Sequence, residues 1–318
     1  MKKLILSVDT GIDDALAIAY AAGQQEMELI GLTVSYGMST VENTYRNTRK
    51  FAELIGLTVP VYMGSSKPMV RPGRDYRTTG SRIHGRDGMA NMFGEHVPED
   101  IEGAVPEEAI DYIIESVHRY GKDLVLVTTG PMTDLAKVIK KDPKVMEKIG
   151  AIYSMVGALA APGNVNPYME ANAGMDPEAV KFVLESDPPL TVIGLDVTRK
   201  TLMSLEDLKR WQEIGTERSG FLSGCVEFYL DAYRVMHPYL KGCALHDPLA
   251  VGAALHPEWI HTVPMHLTCV AEGEADGRTC EDLSRCDDPV YHSAGALFVD
   301  SKAFEKHFFD TVERVLRG

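Results

Sequence analysis

Apolar and polar positions are arranged in alternating blocks along the first two thirds of the chain. The short apolar runs LILSV (4–8), LIGLTVS (29–35), VPVYM (59–63), LVLVTT (124–129), AIYSMVG (151–157) and LTVIGLDV (190–197) read as strands. Runs with little polar interruption suit strands buried on both faces, which points to a largely parallel sheet. Between them lie segments with helical spacing: IDDALAIAYAAGQQ, VENTYRNTRKFAELIG, PEEAIDYIIESVHRYG and MTDLAKVIKKD. This repetition predicts an α/β fold with an open, mostly parallel central sheet flanked by helices and right-handed crossovers. Residues 202–255 read as mainly helical, 258–299 as strands joined by a polar Asp/Gly-rich connection, and SKAFEKHFFDTVERVL as a closing helix. Neither an internal repeat nor linker composition interrupts the pattern, so one domain over 1–318 is expected. The longest unpatterned stretch, 64–105, reads as a loop, and loops of that length are usually functional or mobile.

Composition narrows the partners. With 46 Asp and Glu against 32 Lys and Arg the net charge is −14, and no basic face is evident that would hold nucleic acid or an anionic membrane. Hydrophobic residues at 45% and charged residues at 25% allow a substantial core without metal or disulfide staples. The apolar run after Lys2 and Lys3 is too short for a signal peptide or a membrane span. Five cysteines (Cys225, Cys243, Cys269, Cys280 and Cys286) form an odd set without CxxC spacing, as expected for reduced thiols of a cytoplasmic protein. Cys280 and Cys286 flank an acidic loop and are the pair that could bond or share a metal.

The first cluster able to carry chemistry is Asp9, Asp13 and Asp14 in VDTGIDDALAI. It follows the first strand, where open α/β sheets bind their ligands. Helix capping would explain one Asp. Three carboxylates within six residues repel one another, and a hard divalent cation is the simplest way to hold them together. His246 and Asp247 in LHDPLAV open a later helix. That is good capping chemistry, and it also sets beside a carboxylate a histidine able to act as acid or base. Asn164, Asn166, Glu170 and Asn172 suit a polyhydroxylated ligand, because each hydroxyl both donates and accepts, although Asn-rich loops are often plain turns. TTGPMTDLA (128–136) offers strand-end carbonyls to a cation. His84, in the unpatterned stretch, reads more readily as a surface residue than as a catalyst.

Taken in order, these segments resemble the inosine-uridine-type nucleoside hydrolase family across nearly the whole chain. VDTGIDDALAI is similar to its Asp-rich DxDPGxDDA motif, LVTTGPMTDLA to its strand-end segment, GNVNPYMEANAGMDPEAV to its ribose-binding segment and LHDPLAV to its HDPxA motif. The resemblance implies a Rossmann-like nucleoside hydrolase fold, a homodimer or homotetramer, and hydrolysis of the N-glycosidic bond of a ribonucleoside. It also implies a calcium ion held by Asp9, Asp14, the backbone carbonyl of Thr129 and Asp247. Asp13, Asn164, Glu170 and Asn172 would grip the sugar while Asp9 deprotonates the attacking water. His246 or His84 would protonate the leaving base, and Tyr229 and Tyr233 could stack on it.

Three positions depart from the family pattern. Ser7 stands for its first Asp, Thr10 for its Pro, and Met38 for the Asn after the second strand. An apolar thioether near the ribose raises the expectation of a 5′-modified sugar or an unusual base. It also motivates the alternative of a nucleoside- or ribose-binding protein that keeps the calcium pocket without turnover. A phosphoaspartate phosphatase would need its nucleophilic Asp where Ser7 stands, and no GxGxxG follows a strand to support a dinucleotide enzyme.

Overall fold

A computed structural model describes residues 1–71, 77–94 and 101–318. The chain begins with β1 (Lys2–Val8), α1 (Ile12–Gly23), β2 (Met27–Val34), α2 (Val41–Ile55), β3 (Val61–Met63), α3 (Arg77–His84) and α4 (Glu108–Tyr120). It continues through β4 (Leu124–Thr128), α5 (Thr133–Lys141), β5 (Ala151–Ser154), α6 (Ala171–Met175), α7 (Pro177–Glu185), β6 (Leu190–Val192), α8 (Leu195–Thr198), β7 (Leu202–Met203) and α9 (Leu205–Gln212). The last third holds α10 (Glu217–Met236), β8 (Cys243–Ala244), α11 (His246–Leu255), β9 (Ile260–Pro264), β10 (Leu267–Cys269), β11 (Thr279–Glu281), β12 (Ala294–Val299) and α12 (Ser301–Arg317). Among the described residues, no helix is long and apolar enough to cross a membrane.

Eight strands of the described residues form one sheet in the order β3-β2-β1-β4-β5-β6-β12-β9. Every pairing in it is parallel except β12 with β9. Side chains alternate across the pleat: Leu4, Leu6 and Val8 join the core on one face, Ile5 the core on the other. Both faces are therefore dry, which explains the apolar runs. α1 is buried along Ile12–Ala21, the pattern of a helix enclosed on all sides. The strand order reverses between β1 and β4. The turns that follow these two strands diverge there and leave a crevice at the carboxyl end of the sheet.

Some expectations need correction. The run at 190–197 is a strand only as far as Val192; Leu195–Thr198 turns into α8. The Asp196 carboxylate there accepts from the backbone N–H groups of Leu159, Ala160 and Ala161 at 2.7, 2.7 and 2.8 Å, so it organises the loop after β5. The stretch 64–105 is not a uniform loop, because it contains α3, followed by a turn wound around Asp87. The Asp87 oxygens accept from the N–H groups of Met89, Asn91, Phe93 and Gly94. Residues 72–76 and 95–100 of that stretch lie outside the described residues, and with them any closure over a ligand. All five cysteines are free thiols, including Cys280 and Cys286.

Candidate active site

The turns after β1, β2 and β4 bring the acidic residues together. Asp9 follows β1, and its Oδ2 accepts the N–H of Met38 at 2.8 Å. Gly37 makes that approach possible, since a Cβ there would lie 1.9 Å from Asp9 Oδ2. Asp14, in the first turn of α1, accepts from the N–H of Gly11 at 2.9 Å and from the Thr129 hydroxyl at 2.6 Å. Asp247 enters from the start of α11. One ligand atom each from Asp13, Asp14 and Asp247 lies within 4.8 Å of the others. Asp9 stands beside this trio and lines the same cavity, of about 230 Å³.

Burial gives these carboxylates an electrostatic problem. Asp9 is held well above the ordinary carboxylate range by burial and by the charge of Asp14. Burial and Asp13 push Asp14 up to about 7. Asp247 is also raised well above its ordinary value, by burial and then by Asp13, Asp14, Asp9 and Glu170. No hydrogen bond from the described residues reaches the Asp247 carboxylate. Clustered, buried oxygen donors whose pKa values stay raised despite the hydrogen bonds to Asp9 and Asp14 fit a hard divalent cation, which would restore the charged forms.

The amide-rich segment supplies the cavity floor. Glu170 caps α6: its oxygens accept from Gly157, Asn172 and Ala173 N–H at 2.8, 2.9 and 3.1 Å. Burial nevertheless leaves its pKa raised. Asn172 donates both amide hydrogens, to the carbonyls of Thr129 (2.7 Å) and Met155 (2.9 Å), and so keeps Oδ1 as an acceptor. Asn164 lines the cavity and accepts the N–H of Ala171 at 2.9 Å. Asn166 instead binds the N–H groups of Tyr168 and Met169 and stays off the lining.

The facing wall is aromatic. His84 is buried, contrary to the reading of a surface histidine, because α3 presses it against α1 and α10. Its Nδ1 accepts the N–H of Ile12 at 3.1 Å, which leaves its proton on Nε2, and its ring lies 5.3 Å from that of Tyr229. A Cβ on Gly11 would stand 2.7 Å from His84 Nδ1, so this contact depends on glycine. Tyr229 donates to Asp13 Oδ2 at 3.3 Å, and the Tyr233 hydroxyl lies 2.7 Å from His246 Nε2. His246 Nδ1 is 2.7 Å from the Thr198 hydroxyl. Burial lowers the pKa of both histidines, that of His246 to about 4, so both are neutral near pH 7.

The cavity therefore gathers Asp9, Asp13, Asp14, His84, Thr129, Asn164, Glu170, Asn172, Tyr229, Tyr233, His246 and Asp247. Sequence reasoning missed Met155, Met175, Met236 and His237, which line it as well. Met175 lies inside the segment GNVNPYMEANAGMDPEAV without being singled out by it, and no local motif marks the other three. Ser7 and Thr10 are buried but do not line the cavity; the Thr10 hydroxyl pairs with that of Thr48 at 2.6 Å.

Comparison with known proteins places these features in context. The profile of the inosine-uridine preferring nucleoside hydrolase family matches residues 4–306. The chain is similar to the purine-preferring ribonucleoside hydrolase from Gardnerella vaginalis, with 41% identity, a TM-score of 0.94 and 99% of each chain covered. It is 30% identical over 318 residues to the inosine-uridine preferring nucleoside hydrolase of Crithidia fasciculata, covering 99% of this chain and 98% of that one. It is also 30% identical over 319 residues to the pyrimidine-specific ribonucleoside hydrolase RihB of Escherichia coli (strain SE11), covering 100% of this chain and 97% of that one.

Proposed function

Because the chain belongs to the inosine-uridine preferring nucleoside hydrolase family, and so is an N-glycosyl hydrolase of ribonucleosides, we propose that it works with calcium held by Asp9, Asp14, Asp247 and the Thr129 carbonyl. The observation that carries this reading is the set of buried carboxylates at the β1/β4 crevice, with Asp247 unpartnered among the described residues. When bound, such an ion supplies Lewis acidity that makes water a nucleophile near neutral pH.

The remaining roles follow from the chain's own side chains. Asp9, which the cation would hold in its charged form beside the attacking water, would take that water's proton. Asp13, Asn164, Glu170 and Asn172 grip the ribose hydroxyls, and the acceptor Oδ1 of Asn172 is the atom left over for that task. Carboxylates beside the anomeric carbon stabilise the positive charge that develops as the base departs. The departing base needs a proton. His84, with its hydrogen on Nε2, and the Tyr233–His246 pair are donors placed at the cavity. His246 is neutral near pH 7, so it delivers a ring N–H or relays the Tyr233 proton rather than acting as a standing imidazolium. Likeness to a purine-preferring hydrolase supports purine ribonucleosides as first substrates. Met38 keeps 5′-modified nucleosides in the test.

The test is chromatography of free bases released from a panel of purine, pyrimidine and 5′-modified ribonucleosides. We expect release that chelation abolishes and calcium restores, reduced about 10³-fold in Asp9→Ala. Release indifferent to chelation refutes the calcium reading. Tight nucleoside binding by calorimetry with no base released over hours favours the binding protein instead.

A further inference from the structure

A second cluster of ligating side chains lies at the opposite, amino end of the sheet. Glu26 immediately precedes β2, His256 caps the C-terminus of α11, and His307 lies in the second turn of α12. One ligand atom from each falls within 4.8 Å of the others. Glu26 Oε1 is 3.3 Å from His307 Nε2 and 3.8 Å from His256 Nε2. A tetrahedral ion with bonds of about 2.0 to 2.1 Å sets neighbouring ligand atoms roughly 3.4 Å apart, close to these spacings.

The far sides of both rings are already fixed. His256 Nδ1 lies 2.9 Å from Glu258 Oε1, and the ring stacks on Trp259 with centroids 4.0 Å apart. His307 Nδ1 lies 2.7 Å from the Tyr20 hydroxyl. Outer partners of this kind orient metal-binding imidazoles and select which nitrogen carries the lone pair. The most informative atom is His256 Nε2, which is buried and has no hydrogen-bond partner among the described residues. An ion pair between Glu26 and His307 alone would leave it unsatisfied, at the cost that burying an unpaired polar atom carries. A cation shared by all three residues accounts for it.

We propose that Glu26, His256 and His307 form a binding site for a zinc-class divalent transition cation, with the fourth position open to water. Two imidazoles and one carboxylate select this class over calcium or magnesium, which distinguishes the site from the all-oxygen cluster in the cavity. The ion ties α11 and α12 to the turn between α1 and β2. Its role is structural, since the cavity lies at the other end of the sheet.

The test uses the full chain with saturating calcium, titrated with Co2+ for its visible spectrum and with Zn2+ for thermal stability. One equivalent of Co2+ should give tetrahedral-type absorption. Zn2+ at a hundredfold excess over its Kd should raise Tm by about 5 °C, with base release unchanged. His256→Gln should lose the absorption and the Tm rise and bind about 100-fold more weakly, with base release within about twofold of wild type. Glu26→Gln, on an exposed residue, tests the same site without disturbing the packed rings and should weaken binding in the same direction. Equal binding by wild type and both variants overturns the proposal. So does loss of the Co2+ spectrum only in Asp14→Asn, which would assign the ion to the cavity.

Discussion

Asp9, Asp14 and Asp247 on one wall of the cavity, and His84, Tyr229, Tyr233 and His246 on the other, are all buried, yet their charges stand differently. The acidic wall comes from turns at strand ends, and burial and mutual repulsion raise its members' pKa values beyond what their hydrogen bonds offset. The aromatic wall comes from α3, α10 and α11. Its groups are neutral near pH 7, and each has a hydrogen-bonding neighbour. The walls divide by charge: an outside positive charge would offset the acidic wall, whereas the aromatic wall is neutral and already hydrogen-bonded.

The largest expected effect that sharpens this comparison is on the aromatic side. Tyr233→Phe removes the hydroxyl beside His246 and should lower kcat for inosine about 100-fold. Calcium affinity by calorimetry should not change. p-Nitrophenyl riboside, whose leaving group needs no proton, should lose much less. Equal losses on both substrates would break the division.

The acidic wall should respond to pH instead. In the ion-free protein Asp14 titrates at about 7 rather than at its ordinary 3.8. The folded state then binds a proton that the unfolded chain releases, so this contribution to stability is complete below about pH 4 and is lost as pH rises through about 7. A cation competes with that proton. Calcium affinity, measured against a chelator of known strength between pH 5 and 8, should fall at least tenfold per unit below pH 7, since Asp9 and Asp247 are raised as well. A flat profile would mean that Asp14 is already ionised without the ion.

The smallest effect belongs where the walls meet. Met38 supports Asp9 through its backbone N–H, a contact that does not depend on the side chain. Met38→Asn should therefore leave kcat nearly unchanged and lower KM for unmodified inosine about threefold through one added hydrogen bond. A higher KM would indicate that the thioether itself contacts substrate.

The acidic wall was largely legible in the sequence, because Asp9, Asp13 and Asp14 lie within one strand-turn-helix unit and their crowding is visible in six residues. On the aromatic wall only His246 stood out from its own surroundings, while His84, Tyr229 and Tyr233 were named through the family resemblance alone. His84 read as a loop residue because eight residues of α3 carry no clear apolar period, and its burial depends on Ile12 and Tyr229, far away in the chain. The residues of the amino-end cluster are even more scattered, at 26, 256 and 307.

By itself the sequence determined the alternation of strands and helices, the parallel sheet, and the placing of acidic residues at strand ends, since each depends on local periodicity and turn chemistry. Only the tertiary structure decided which distant side chains share a cavity, which hydrogen-bond donors are already spent, and how far burial shifts each carboxylate. Those properties depend on distances and desolvation that arise only when the chain packs.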